Sequence, residues 1–157
     1  MIRSFGPMSA AYPYALGDTA GECTMFEEAF TPCSSQLPLA PGARRFFPYL
    51  LWKKQCTVRQ RTLDDVLEGR SFQRPALLKI DVQGMEDRVL KGASRVLHDI
   101  DVILVETSFV RINEGQLLFP EMRSLIESYG FRYQGSALQW KSFFGGRIIQ
   151  EDSVFVR

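Results

Sequence analysis

Histidine is nearly absent from this chain: His98 is the single one in 157 residues. The three cysteines, Cys23, Cys33 and Cys56, are scattered and form no CxxC pair. These four side chains lack the number and spacing of a zinc site. An odd set of isolated thiols instead fits a cytoplasmic protein with free cysteines. An excess of one charge is also missing, with 19 basic against 18 acidic residues and a net charge of +1. Nothing therefore draws the chain to nucleic acid or to an anionic membrane surface. No apolar stretch approaches the ~20 residues that cross a bilayer. The start, Met1 to Pro7, has no long apolar core and does not read as a signal peptide. Glycine-rich phosphate or cofactor loops are missing too: no GxG precedes a helix in the first sixty residues, and Gly145-Gly146 is followed by no helix.

What is present suits one domain over residues 1–157, long enough for a real core. Residues 1–13, with Gly6, Pro7 and Pro13, read as an extended lead-in. Tyr14-Ala15-Leu16 ends a strand that turns at Gly17-Asp18. Residues 22–26 and 55–61 alternate well enough for two strands paired antiparallel. Between them, residues 31–48 form a long proline-containing loop. The cluster Phe46, Phe47, Tyr49, Leu50, Leu51 and Trp52 follows it, as a loop tucked onto the core, a ligand-stacking platform or a partner surface. Thr62 caps a short helix, with Asp65 three residues on and Gly69 at its end. Asp64 and Asp65 fit either helix-dipole complementation or a carboxylate pair.

The chain is organised around Leu77-Leu78-Lys79-Ile80-Asp81-Val82-Gln83-Gly84-Met85-Glu86. A short apolar run of this kind fits a strand covered on both faces, as in the middle of a parallel sheet. A helix follows from about Met85, with Val89 and Leu90 on one side, and ends at Lys91-Gly92; Ala93 to Leu97 adds a further turn or two. Residues 101–106 then give a second core strand ending in Glu106. Strand, helix, strand is a βαβ unit with parallel strands. Asp81 and Glu106 thus end neighbouring strands at one rim, where open α/β sheets bind ligands. From spacing alone Asp81 is equally a cap for the next helix. His98 precedes the second strand, which puts it on the order of 20 Å from Glu106 and argues against it as the general base. A helix from Phe119, with Pro120 in its first turn, ends at Gly130. Phe131 to Tyr133 opens a strand, residues 135–146 read as a polar loop, and residues 147–157 close the chain, with Val154 to Val156 as the last strand segment, antiparallel to the one before it.

The motif at 77–86, followed by Val89-Leu90-Lys91-Gly92-Ala93, resembles the signature of the FkbM family of methyltransferases. Ala15-Leu16-Gly17-Asp18, Thr62-Leu63-Asp64-Asp65, Glu106-Thr107-Ser108, Gly130-Phe131 and Gln150 to Val156 fit the same family in order. The resemblance implies an α/β, Rossmann-like class I methyltransferase fold with an antiparallel edge at the carboxyl-terminal end of its sheet. It implies S-adenosylmethionine as methyl donor and a hydroxyl of a sugar or small natural product as acceptor. The family's glycine-rich loop and the acidic residue that holds the ribose have no counterpart before Tyr14, so the chain reads as amino-terminally truncated. The strand at 77–81 would then have a bare edge, to be covered by residues 1–60, by a partner chain or by a second copy. The resemblance also implies roles. Asp81 is the catalytic base or a ligand to a divalent metal, and faces the cofactor; Glu106 orients the acceptor or shares the metal; Asp18 reaches the adenine; Glu86 serves the loop. A catalytically inactive remnant, acting as a binding or assembly module, is the alternative.

Overall fold

The computed structural model describes residues 10–28, 34–48, 50, 52–142 and 145–157. Most of the expected lead-in, Cys33, and Tyr49 and Leu51 of the aromatic cluster lie outside them. In chain order the elements are β1 (Ala15–Leu16), β2 (Gly21–Glu28), β3 (Trp52–Arg61), α1 (Leu63–Val66), β4 (Leu77–Ile80), α2 (Glu86–Lys91), β5 (Val102–Ser108), α3 (Phe119–Ser128), β6 (Arg132–Lys141) and β7 (Ile148–Val156). The architecture is mixed α/β with two sheets. One has the order β1-β3-β2 and the other β4-β5-β7-β6.

In the four-stranded sheet, β4 runs parallel to β5 with Leu77 beside Val102 and Ile80 beside Val105. β7 is antiparallel to both β5 and β6, which supplies the expected antiparallel edge. One face carries the core. Ile80, Ile103, Val105 and Phe155 pack there against Val89 and Leu90 of α2 and Met122 and Ile126 of α3. Each such side chain, fully buried, contributes about 1.5–3 kcal/mol. The opposite face is open, with Leu77 59%, Leu138 53% and Trp140 38% exposed. This corrects the expectation that strand 77–81 is covered on both faces: only Ile80 is buried in it. The apolar run hides a period of two, and Lys79 is the one residue that marks its solvent side. β4 also ends the sheet, with no described strand on its outer edge.

The three-stranded sheet docks on the far end of α2 through glycine. A Cβ added to Gly92 would lie 2.1 Å from the Gly17 carbonyl oxygen, so only glycine lets the 17–18 turn approach. β2 and β3 pair antiparallel as expected, over a longer span than the alternation indicates, while β1 lies parallel to β3. Thr62 caps α1 by accepting from the Asp65 amide at 3.0 Å. Asp64 serves neither as half of a carboxylate pair nor only the dipole of α1. Its carboxylate accepts from the Arg95 and Val96 amides, each at 2.9 Å, at the start of the 3-10 turn Val96–Asp99. That tie crosses 32 residues and fixes α1 against the end of α2.

The long loop packs beyond the carboxyl end of β5. Ala43, Leu50, Val110, Ile112 and Ile149 form a second small core, with Phe46 and Phe47 against it. These two aromatics therefore take the tucked-in role. The expected loop at 135–146 is instead strand β6 as far as Lys141. Three register shifts along β6 break its alternation, which is why its sequence reads as loop.

Candidate active site

The in-register pairing of Ile80 with Val105 brings the next residue of each strand, Asp81 and Glu106, to one rim. A single nitrogen joins them. Gln83 Nε2 donates to Asp81 Oδ1 at 2.9 Å and to Glu106 Oε2 at 3.3 Å. From the other side, Gln150 Nε2 donates to the same Glu106 oxygen at 2.7 Å. Asp152 stands directly across from Glu106 in the β5–β7 ladder. Lys79 Nζ lies 3.6 Å from Asp81 Oδ2, and the Asp81 side chain remains 41% exposed. The capping role for Asp81 finds no support here. Met85 is the N-cap of α2, and it makes no side-chain cap bond.

The turn that carries Gln83 is held from three directions. Gln83 has φ +55°, in the left-handed region that costs a non-glycine residue free energy. Its carbonyl accepts from Ser35 Oγ at 2.6 Å and from Asn113 Nδ2 at 2.9 Å. Gly84 follows at φ +101°, and a Cβ there would meet Asn113 at 3.1 Å. Asn113 is itself set by Gln116, whose Oε1 accepts from the Ile112 and Asn113 amides at 2.8 Å and whose Nε2 donates to Ser108 Oγ at 2.9 Å. Beneath the turn, Glu86 Oε1 accepts from the Val82 amide at 3.2 Å and the Gly84 amide at 3.1 Å. Glu86 thus serves the loop.

Burial and crowding of like charges shape the titration of this rim. Glu106 is pushed up to about 8, first by burial and then by the charges of Asp81, Glu86 and Asp152, against the opposing pull of the Gln150 bond. Glu86 is pushed up to about 7 by burial, with Asp81 adding to it; the amide bonds from Gly84 and Val82 work the other way. Asp152 is raised by burial and by Asp81, against Lys79. A carboxyl group that titrates near neutrality beside an exposed carboxylate is the arrangement acid–base chemistry needs.

The other expected site residues are elsewhere. Asp18 pairs with Arg88 at 3.4 Å and its backbone lies against Gly92, at the far end of α2 from Glu86. At 1.5 Å rise per residue those ends are about 9 Å apart. His98 is exposed in the turn before β5, away from the rim. The divalent metal expected on Asp81 and Glu106 does not fit this donor set. Among the described residues no group of three histidines, cysteines or carboxylates is placed to hold an ion, and amide N–H donors face the two acids where a cation would sit.

Sequence reasoning placed Asp81 and Glu106 but missed Ser35, Asn113, Gln150 and Asp152, and it gave Gln83 no role of its own. Gln83 carried a signal by lying between Asp81 and Gly84 in the motif, and Gln150 and Asp152 by standing in the closing segment that resembles the family; Ser35 and Asn113 carried none. Compared with protein-family models, residues 7–133 match the methyltransferase FkbM domain. No curated protein and no solved structure matches the chain. The family match stops within β6, so Gln150 and Asp152 reach the site from beyond it.

Proposed function

Because this chain belongs to the FkbM family of methyltransferases, we propose that it transfers a methyl group from S-adenosylmethionine to a hydroxyl of a saccharide or small natural product. The donor supplies a methyl carbon on a sulfonium, open to in-line displacement by oxygen. What the protein adds is positioning and removal of the hydroxyl proton. The observation that carries this reading is the convergence on Gln83 Nε2 of Asp81, just past the end of β4, and Glu106, two residues before the end of the parallel strand β5 rather than at its end.

The geometry favours exchanging the two expected roles. Glu106, pushed up to about 8, has the affinity for a proton that a general base near neutral pH needs. Gln83 and Gln150 both engage its Oε2, so Oε1 is the oxygen left for the acceptor hydroxyl. Asp81, exposed just past the end of β4, stands beside it and faces the donor. In a class I, Rossmann-like sheet, β4 would be the strand of this chain nearest the donor, and its open outer edge is where the rest of such a sheet, a partner chain or a second copy would add. The same edge supports the alternative of a catalytically inactive binding or assembly module.

Two measurements separate these readings. Calorimetry with S-adenosylmethionine on the purified chain should give saturable binding, and its absence would select the inactive module. With a methylated acceptor in hand, Glu106→Gln should lower kcat by roughly 10²–10⁴-fold. Asp81→Asn should abolish transfer while thermal unfolding stays close to wild type. Full activity in either variant refutes the assignment of that residue.

A further inference from the structure

We infer that Trp140 and Leu138 form the acceptor platform of this site, and that the ring they receive is an uncharged sugar whose hydroxyls bind Asp152 and Gln150. The inference rests on the methyl-transfer reading for the fate of the hydroxyl, but the binding itself does not. In the β6–β7 ladder Leu138 is directly opposite Asp152 and Trp140 directly opposite Gln150. Directly paired residues of an antiparallel ladder share a face. Asp152 in turn is opposite Glu106, and Gln150 donates to it. Two of the large exposed apolar side chains of the molecule, Leu138 at 53% and Trp140 at 38%, therefore stand on the same face as the candidate base.

Strands are spaced by ~4.8 Å, so β6 and β5 lie about 10 Å apart with β7 between them. A six-membered ring resting over β7 fits that span. Its C–H face meets the indole and the Leu138 side chain, and its hydroxyls reach the carboxylate and amide of Asp152 and Gln150. One further hydroxyl points at Glu106. An exposed aromatic face beside a few convergent polar groups is the composition of a small-molecule site. The charges select among ring compounds. The carboxylates of Asp152 and Asp81 repel an acidic or phosphorylated ring, while the acceptor oxygens of this rim, with the Gln150 amide, match neutral polyols. A bare phenol would use the indole but leave Asp152 unengaged.

The test follows the indole N–H resonance of Trp140, assigned by its loss in Trp140→Phe, during titration of the full chain without S-adenosylmethionine. The probes are methyl glucoside, methyl galactoside and methyl mannoside, with glucuronate and phenol as controls. At least one neutral glycoside should shift the resonance saturably, and glucuronate should bind at least tenfold more weakly. Asp152→Ala and Trp140→Ala should each weaken the glycoside by roughly tenfold, and Trp140→Phe should retain most of the affinity. Both positions lie on the open face, so far-UV circular dichroism checks that each variant is folded; should Trp140→Ala fail it, Asp152→Ala alone decides. No response to any glycoside, an equal response to glucuronate, a response to phenol only, or full affinity in Asp152→Ala overturns the proposal. Binding of S-adenosylmethionine by the same sample without a glycoside response discards the platform and leaves methyl transfer standing. The reverse result does the opposite.

Discussion

Replacing Glu86 by glutamine tests the physical account of the rim without touching the reacting groups. Glu86 is 3% exposed and holds the Val82 and Gly84 amides. Burial moves its carboxyl from 4.5 to about 7. A carboxyl whose affinity for protons is higher in the folded chain binds more protons there than when unfolded. Its contribution is therefore fully present below pH 4.5 and is lost as pH rises through about 7. At 1.36 kcal/mol per pH unit of displacement, the loss amounts to about 3 kcal/mol. Glutamine keeps the shape and one acceptor oxygen for the two amides, yet does not titrate. Urea unfolding at a series of pH values from about 4 to about 8 should show the wild type losing stability as this group ionises. Glu86→Gln should lose about 3 kcal/mol less over the same range. Any offset between the two proteins at low pH is immaterial, because the slope carries the information. The Glu86 charge also helps raise Glu106, so carboxyl carbon NMR should find Glu106 titrating at lower pH in the variant. Parallel stability slopes for the two proteins would refute the claim that a buried, titrating Glu86 supports this turn.

Two further substitutions test how the turn and the base of the domain are held. Gly84→Ala adds a Cβ at φ +101° and 3.1 Å from Asn113; it should cost about 1–3 kcal/mol in urea unfolding and displace Asn113 from the Gln83 carbonyl, and a cost near zero would mean the turn is free to relax. Asp64→Ala removes the acceptor of the Arg95 and Val96 amides. It should cost about 0.5–2 kcal/mol, with Asp64→Asn recovering part of it; equal stability of the alanine and asparagine variants would refute the capping role across the α1–α2 junction.

The residues that carry this fold were unequally visible in the sequence. β4, α2 and β5 were legible because their apolar runs and the one-sided stripe of Val89 and Leu90 follow fixed local periods. The rim followed from them, since two parallel strands joined by a helix must deliver their last residues to one edge. The open face was not read, although Lys79 inside the run 77–80 announced it. β6 was lost to its register shifts. The support of the rim lay beyond any local pattern. Ser35 and Asn113 meet the Gln83 carbonyl across 48 and 30 residues, and Gln150 meets Glu106 across 44. Periodicity reports which side of an element faces the core, and carries no information on which distant loop will lie above its end. Yet these distant contacts are not incidental. A non-glycine residue at φ +55° is unfavourable by itself, and Ser35 and Asn113 together offset that cost. The backbone strain at Gln83 and the bridging of Asp81 to Glu106 are thus two aspects of one arrangement. The local sequence encodes the carboxylates, and segments far along the chain fix the amide that brings them together.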